Sequence, residues 1–232
     1  MPHDPSILDR LRRLDACAVS DACDQLGLDR QVVAGPTNLT GRQRIAGRAI
    51  TVLLGRPTPQ PTSRHLCTAA IEAAGPDHVI VVAHQGRADC AGWGGNLSRA
   101  AHARGVAGTI VDGAIRDVDE ATELGYPVYA TSATPRTARG RAQEHAWNAD
   151  VDLAGVTIRP DDLVIADSTG IVIIPADHTE AVLAAAAAVA AREALMAAAI
   201  DHDTPISTVM GADYEHMLHD PHDTPRADIT EG

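Results

Sequence analysis

The alternation of apolar and polar residues along the chain predicts a domain of short strands and helices. Apolar runs with the length and β-branched content of strands occur at residues 49–54, 78–83, 108–112 and 127–130. Segments with the apolar spacing of helices lie between them, at residues 63–74, 96–104 and 117–124. This rhythm is typical of an α/β domain whose helices cover a sheet.

The N-terminal part of the chain predicts a small helical arm. Asp4-Pro5 has the residue types that open a helix. Ser20 and Gly27 have the types of a helix cap and a helix stop, and they predict a second helix between them. Residues 28–46 show no periodic pattern and are expected to be irregular.

After residue 150 the pattern changes to three short strands, at residues 155–159, 163–167 and 170–175. The turns between them predict a meander. An Ala-rich helix is expected over about residues 177–200. Residues 201–232 carry eight acidic side chains and one basic side chain, which predicts a solvated acidic extension. We therefore expect one α/β domain, residues 1–200, with an N-terminal helical arm and an acidic C-terminal tail, residues 201–232.

Composition and charge narrow the class of protein. Aromatic residues make up only 2% of the chain, and the net charge is −12, so neither stacking of nucleic-acid bases nor binding of a nucleic-acid phosphate backbone is favoured. Arg192 and Glu193 interrupt the Ala-rich helix, which favours a helix of a soluble protein over a membrane span. The four cysteines lack C-x-x-C spacing, and the N-terminus has no apolar signal segment. We expect a cytoplasmic protein with free thiols and with neither nucleic acid nor a membrane as partner.

A glycine turn stands immediately before the helix predicted at residues 96–104. Backbone N–H groups at the start of a helix are unpaired and carry partial positive charge, and glycine lets an anion approach them closely. The turn could therefore seat a carboxylate or a phosphate, although such a pair of glycines can equally form a simple turn. The candidate substrate-binding residues here are Gly94, Gly95, Asn96 and Leu97.

Arg116 and Asp117 follow the strand predicted at residues 108–112. Ligands of α/β sheets gather beyond the carboxyl ends of the strands. Arginine offers a planar fork that matches a carboxylate, and aspartate is a hard oxygen ligand suited to Mg²⁺ or Mn²⁺. The alternative is a surface ion pair in which Asp117 caps the helix that follows.

Several motifs in this order resemble one family. They include Val19-Ser20-Asp21-Ala22, Trp93-Gly94-Gly95, Pro135-Arg136-Thr137 and Ala166-Asp167-Ser168-Thr169-Gly170. Gly95 is also followed by twenty residues and then by Arg116-Asp117-X-X-Glu120. Over about residues 14–195 the chain resembles the 4-hydroxy-4-methyl-2-oxoglutarate/4-carboxy-4-hydroxy-2-oxoadipate aldolases, a family that also contains the regulator of ribonuclease E activity A.

The resemblance implies a fold and an assembly. The expected fold is an α/β sandwich with a mixed sheet of the swivelling-domain type, with N-terminal helices and a long C-terminal helix. The expected assembly is a homotrimer or a hexamer of two trimers, with active sites between subunits.

The resemblance also implies a metal-dependent lyase acting on a small 2-oxo acid. Residues 94–97 would bind the substrate carboxylate, Arg116 would bind the carboxylate or the keto oxygen, and Asp117 would ligate Mg²⁺ or another divalent metal. The expected reaction stabilises a pyruvate enolate, formed by retro-aldol cleavage of a 4-hydroxy-2-oxo acid or by decarboxylation of oxaloacetate. The chain contains no lysine, which excludes a lysine imine within it.

Two positions depart from the family pattern. Characterised aldolases have an Asp at the position of Gly95, where it is thought to position or activate a water. Its replacement puts aldol cleavage in question and leaves Asp21, Asp24 and Glu120 as alternative bases. Residues 141–148 are more polar than in relatives and are either pocket residues or, as we expect, a surface loop.

A second hypothesis is a non-catalytic regulator that binds an RNA-degrading enzyme, as one branch of the family is named. That branch tends to lack the metal-binding Asp. The presence of Asp117 therefore favours the enzyme.

Overall fold

A computed structural model describes residues 6–29, 31–60 and 64–211. The strands are β1 (Val32–Val33), β2 (Thr37–Asn38), β3 (Ile45–Gly55), β4 (His78–Trp93), β5 (Gly108–Ile115), β6 (Val128–Ala133), β7 (Gln143–Trp147), β8 (Val151–Leu153), β9 (Val156–Ile158), β10 (Leu163–Ala166) and β11 (Ile171–Ile174). The helices are α1 (Ile7–Leu11), α2 (Ala16–Gln25), α3 (Thr68–Ala73), α4 (Gly95–Ala103), α5 (Val118–Glu123), α6 (Thr179–Asp201) and α7 (Ile206–Val209).

Nine of these strands form one mixed sheet in the order β1-β11-β10-β3-β4-β5-β6-β2, with β7 paired to β3. The four central strands β3, β4, β5 and β6 are mutually parallel, and the remaining pairings are antiparallel. Strands β8 and β9 form a separate hairpin. The predicted α/β fold with a mixed sheet is therefore confirmed.

The side chains of β4 alternate between the two faces of the sheet. Ile80 and Val82 pack in one cluster with Leu97 of α4. Val79 and Val81 pack in another cluster with residues of the β8–β9 hairpin. The central strands are thus buried on both faces, which explains why they read as continuous apolar runs in the sequence.

The N-terminal helices pack beside α6. Asp15, rather than Ser20, caps α2, because its carboxylate accepts the Ala18 N–H at 2.8 Å. The predicted cap was wrong because the helix begins at Ala16, which places Ser20 in its interior. Gly27 follows the end of α2 with φ 67°, and the predicted stop is confirmed. The predicted opening at residues 4–5 lies outside the described residues.

Helix α6 is the predicted long C-terminal helix. Residues 176–201 are apolar and long enough to cross a membrane by length and composition alone. In this fold Val182, Leu183 and Ala186 are buried in a cluster with α1 and α2, so the first half of the helix packs within the domain. Helix α7 lies within the predicted acidic tail, of which residues 212–232 are outside the described residues.

Three predictions of elements were wrong in part. The region 28–46 contains β1, β2 and the start of β3. Strands β1 and β2 have only two residues each, so they leave no periodic signal in the sequence. The helix expected at 63–74 is limited to α3. The expected three-stranded meander is absent among the described strands, because β9 pairs with the unpredicted β8 while β10 and β11 join the main sheet.

The largest differences concern β4 and β7. Strand β4 continues past residue 83 to Trp93, after an irregular segment in which Gln85 and Gly86 have φ of 58° and 64°. This left-handed segment interrupts the apolar run, so the sequence predicted only the first part. The prediction of a surface loop at 141–148 was wrong, because Gln143–Trp147 forms a strand that pairs with β3.

Glu144 of β7 joins this strand to the start of α3. Its side chain is 6% exposed, and its two oxygens accept the Cys67 N–H at 2.7 Å and two nitrogens of Arg64 at 3.0 and 3.2 Å. We expect Glu144→Ala to lower the free energy of unfolding by about 2 kcal/mol, since the substitution leaves the Cys67 N–H unpaired. Chemical denaturation measures this change. The exposed Glu123→Ala is the control, and an equal loss in both variants would contradict the prediction.

Candidate active site

The site forms where β4 and β5 end side by side. Trp93 pairs with Ile115 across these parallel strands, and the Arg116 N–H donates to the Trp93 carbonyl at 3.0 Å. Only Gly94 separates β4 from helix α4, and only Arg116 and Asp117 separate β5 from α5. The glycine turn and Arg116-Asp117 therefore lie together at one edge of the sheet, the edge where ligands of α/β folds gather.

One cavity of about 210 Å³ opens at this edge, and we name it the site cavity. All six of the residues that the sequence nominated line it: Gly94, Gly95, Asn96, Leu97, Arg116 and Asp117. Residues 137–139 and His65 also contribute to its wall. The sequence did not nominate residues 137–139, although they follow β6, the parallel neighbour of β5, and so belong to the same edge.

Asp117 has a left-handed backbone, with φ 58° and ψ 41°, and precedes α5. Its carboxylate accepts no hydrogen bond from that helix, so the capping part of the alternative interpretation was wrong, whereas its partly exposed ion pair with Arg116 is confirmed. Instead Oδ2 accepts the Gly95 N–H at 2.9 Å and the Arg116 Nε–H at 3.1 Å. A non-glycine residue in this conformation costs energy and is held by its surroundings, which is common at functional sites.

The charge on Asp117 is stabilised. Partial burial on its own raises the pKa of this carboxyl group, but the Gly95 N–H and the Arg116 guanidinium outweigh burial and lower the pKa below its ordinary value. Oδ1 accepts no hydrogen bond from any residue that the structure describes. Asp117 is therefore an ionised carboxylate with one oxygen open toward a ligand.

The groups available to an anion are fewer than the sequence predicted. At the start of α4 the Gly95 N–H is bound to Asp117, and the Leu97 N–H donates to the Gly94 carbonyl at 3.1 Å. The Asn96 N–H donates to none of the described residues. Arg116 uses Nε on Asp117, and its Nη1 and Nη2 bond to none of them. Asn96 and the two terminal nitrogens of Arg116 thus remain for a substrate carboxylate.

Glu120 fills the space beside Gly95 that a side chain at this position would occupy. A Cβ atom built on Gly95 would overlap Oε2 of Glu120 and would lie 2.7 Å from its Cδ and 3.1 Å from Cβ of Asp117. Arg99 holds the other oxygen of Glu120, with Nη2 at 2.7 Å from Oε1. A carboxylate therefore stands where a side chain at position 95 would begin.

The positions of the three candidate bases, Asp21, Asp24 and Glu120, distinguish between them. Glu120 does not line the site cavity itself, but its Oε2 lies against Gly95, which does. Asp21 and Asp24 belong to α2, a helix that packs against α6 and does not line the site cavity. Glu120 is the base that the geometry of a single chain favours.

The donor set fits a hard, hydrated cation. Within the described part of the chain, no group of three or more His, Cys, Asp or Glu residues could cage a metal. Mg²⁺ does not need such a cage, since it is commonly held by one or two carboxylates and several waters. The open oxygen of Asp117 supplies this kind of ligand, with Glu120 as a second carboxylate nearby, whereas zinc would require more ligands from the protein.

The cysteines and the buried histidine lie apart from this chemistry. Cys67 and Cys90 are free, as predicted, and both are buried. His84 is fully buried, with Nε2 at 2.9 Å from the Cys90 carbonyl oxygen, and burial lowers the pKa of its ring. None of the three lines the site cavity.

Residues 16–173 match the family described as RraA-like, Aldolase/RraA. The chain belongs to the Aldolase/RraA family. One relative, protein DlpA of Legionella pneumophila, is 29% identical over 179 residues, which are 77% of this chain but only 29% of DlpA. This chain therefore spans less than a third of the length of DlpA. A Deinococcus radiodurans protein, provisionally named a 4-hydroxy-4-methyl-2-oxoglutarate aldolase, is 35% identical over 62% of this chain and 88% of its own.

The Aldolase/RraA fold is also seen among solved structures. Streptomyces coelicolor RraAS2, described as an unusual member of the RNase ES inhibitor RraA protein family, matches with a TM-score of 0.72 and 29% identity. The match covers 80% of this chain and 92% of that chain. Similar members of the family thus carry names of both kinds, aldolase and nuclease inhibitor.

Proposed function

We propose that this chain is a divalent-metal-dependent carbon–carbon lyase that stabilises a pyruvate enolate. The observation that carries the proposal is the meeting of Arg116, Asp117 and Glu120 around Gly94 and Gly95, where two parallel strands end. The proposed reactions are retro-aldol cleavage of a 4-hydroxy-2-oxo acid and decarboxylation of oxaloacetate. We also propose that the protein is cytoplasmic and assembles as a trimer or a hexamer.

The near end of the substrate is its carboxylate and 2-oxo group. Arg116 offers Nη1 and Nη2, and Asn96 offers its N–H, to bind and orient these oxygens. Asp117 would hold Mg²⁺. When bound, the cation supplies positive charge that stabilises the enolate oxygen. Arg116 adds a fixed positive charge on the same oxygen as negative charge develops there.

The retro-aldol step needs a base. Glu120 accepts the proton of the 4-hydroxyl group as the bond between C3 and C4 breaks. The electron pair of that bond passes into the enolate, and an aldehyde or ketone leaves from C4. Protonation of the enolate at C3 gives pyruvate. Oxaloacetate loses CO₂ by breaking its C3–C4 bond and forms the same enolate without any hydroxyl proton to remove.

Oxaloacetate with and without a chelator tests this proposal. We expect the protein with Mg²⁺ to form pyruvate, detected through lactate dehydrogenase, and we expect EDTA to abolish the reaction and added Mg²⁺ to restore it. The Asp117→Asn protein at the same Mg²⁺ concentration corrects for decarboxylation by the free cation. Pyruvate formation that is unaffected by EDTA would overturn the metal role.

The second candidate is a regulator that binds an RNA-degrading enzyme, and it is supported by the similarity to RraAS2. A binding surface has no need for a carboxylate held ionised in a left-handed backbone, as Asp117 is. Inhibition of such a nuclease by both the unchanged protein and Asp117→Asn, without any pyruvate formation, would favour the regulator.

A further inference from the structure

Strand β4 makes an excursion out of the sheet, residues 84–92, directly before it reaches the site. Ala83 pairs with Asp112 of β5, and Trp93 pairs with Ile115. Strand β4 thus advances by ten residues where β5 advances by three, so most residues of the excursion have no separate partner in β5. The glycine turn follows the excursion at once, and its position therefore depends on what closes the excursion.

His84 closes the excursion at its base. The side chain is fully buried, and its Nε2 lies 2.9 Å from the carbonyl oxygen of Cys90, at the other end of the excursion. Because a carbonyl oxygen can only accept, the ring carries its proton on Nε2. Nδ1 bonds to none of the described residues. The bond from His84 to Cys90 thus joins the outgoing and the returning parts of β4.

Two glycines make room for the ring of His84 behind the site cavity. A Cβ atom on Gly113 of β5 would lie 2.6 Å from Cδ2 of His84, and one on Gly92 would lie 2.9 Å from Cγ. Gly92 and the next residue, Trp93, both line the site cavity. The imidazole therefore supports the wall of the site cavity from behind without touching a ligand in it.

A charged ring fits this place poorly. Protonation would add an N–H at Nδ1, for which no described residue supplies an acceptor, and would bury a positive charge. Burial lowers the pKa of His84, and Arg87 of the excursion adds to this effect. The Cys90 carbonyl and the carboxylates of Asp89 and Asp112 act in the opposite direction without outweighing burial. The Cys90 thiol, 3.8 Å from Nε2, stays neutral because burial raises its pKa.

Asp112 is the buried carboxylate that faces the ring from β5. Its Oδ2 accepts the Gly86 N–H at 3.1 Å and so holds the left-handed part of the excursion. Burial raises the pKa of Asp112, and the carboxylate of Asp152 in β8 contributes to the rise. Protonation of Asp112 would remove a negative charge that favours a charged His84. Acid therefore weakens both contacts that close the excursion.

We propose that His84 is a pH-sensitive positioning residue, which holds the returning part of β4 against the site while it is neutral and loosens that part when it is protonated. Since the folded state favours the neutral ring, the stabilising effect of His84 is complete above the ordinary histidine pKa of 6.5 and declines as the pH falls below it. The site should thus be fully formed at neutral pH and should loosen in mild acid, whatever reaction it carries.

The fluorescence of Trp93 tests this proposal, because Trp93 ends the excursion and is only 2% exposed. The chain has two tryptophans, so Trp147→Phe leaves Trp93 as the sole emitter. In this background we expect the emission to move to longer wavelength as the pH falls from about 7.5 to about 5, with a midpoint below the ordinary histidine pKa. His84→Gln keeps an N–H donor for the Cys90 carbonyl but has no charge to gain, so its emission should stay constant over this range.

His202→Gln in the same background is the matched control, since His202 is an exposed histidine at the end of α6. It should keep the acid shift of Trp93. Nitrogen-15 magnetic resonance of the histidine rings in the unchanged protein provides a second measurement, which does not depend on the folding of any variant. It should show a water-shielded ring with its proton on Nε2, as the bond from His84 to the Cys90 carbonyl requires.

Three results would overturn the inference. The first is an equal acid shift of Trp93 in His84→Gln, the second is no shift in the Trp147→Phe protein, and the third is a His84 proton on Nδ1. These measurements need neither metal nor substrate, so they are independent of the lyase. Pyruvate formation without an acid shift that depends on His84 would refute this inference alone, and the shift without pyruvate formation would refute the lyase alone.

Discussion

Replacing Asp117 by Asn is expected to slow pyruvate formation from oxaloacetate by about a hundredfold or more. The carboxamide has the same size and can still accept the Gly95 N–H, so the junction of α4 and α5 should persist. The substitution removes the negative charge that would hold the cation. The loss should therefore be in catalysis and metal binding rather than in folding.

Asp119→Asn is the matched control for this prediction. Asp119 is an exposed acid on the same helix, and its replacement should leave the rate of pyruvate formation unchanged. Electron paramagnetic resonance of added Mn²⁺ separates a metal role from a structural one, since Asp117→Asn should leave the Mn²⁺ unbound. Full activity or normal Mn²⁺ binding in Asp117→Asn would remove this residue from the metal site.

Glu120→Ala is expected to slow retro-aldol cleavage of 4-hydroxy-2-oxoglutarate by about a hundred- to ten-thousandfold, because the base for the hydroxyl proton is lost. The same variant should retain most decarboxylation of oxaloacetate, which has no such proton. Both rates are followed as pyruvate. Equal losses on the two substrates would show that Glu120 acts on the metal or on the fold rather than as this base.

The space shared by Gly95 and Glu120 allows a stricter test. Gly95→Asp on its own should fail to raise activity, because the new side chain would overlap the Glu120 carboxylate. In the Glu120→Ala background the same substitution has room and should restore much of the retro-aldol activity. Gly95→Ala in that background fills the space without an acid and should restore no retro-aldol activity. Recovery with alanine would contradict the prediction that an acid at position 95 can replace Glu120 as the base.

Much of the site follows from local signals. The apolar runs at 78–83 and 108–112 predicted two buried strands, and parallel strands end at a common edge of the sheet. That rule was sufficient to group the glycine turn with Arg116 and Asp117. The long Ala-rich helix was similarly visible, because its apolar residues recur over many turns.

Other elements could not be predicted because their stabilising partners are distant in sequence. Strand β7 is held by pairing with β3, and Glu144 in it by Arg64 and the Cys67 N–H. Neither contact leaves a periodic pattern in Gln143–Trp147 itself. The second half of β4 was missed for a related reason, since a left-handed segment breaks its alternation.

By itself the sequence determined the α/β class, the family and the pairing of a glycine turn with Arg116-Asp117. Only the tertiary structure decided that Asp117 turns away from its own helix to hold Gly95, and that Glu120 fills the space beside that glycine. These facts depend on which loops meet where the strands of the sheet end, and such meetings are set by register and packing between segments far apart in the chain.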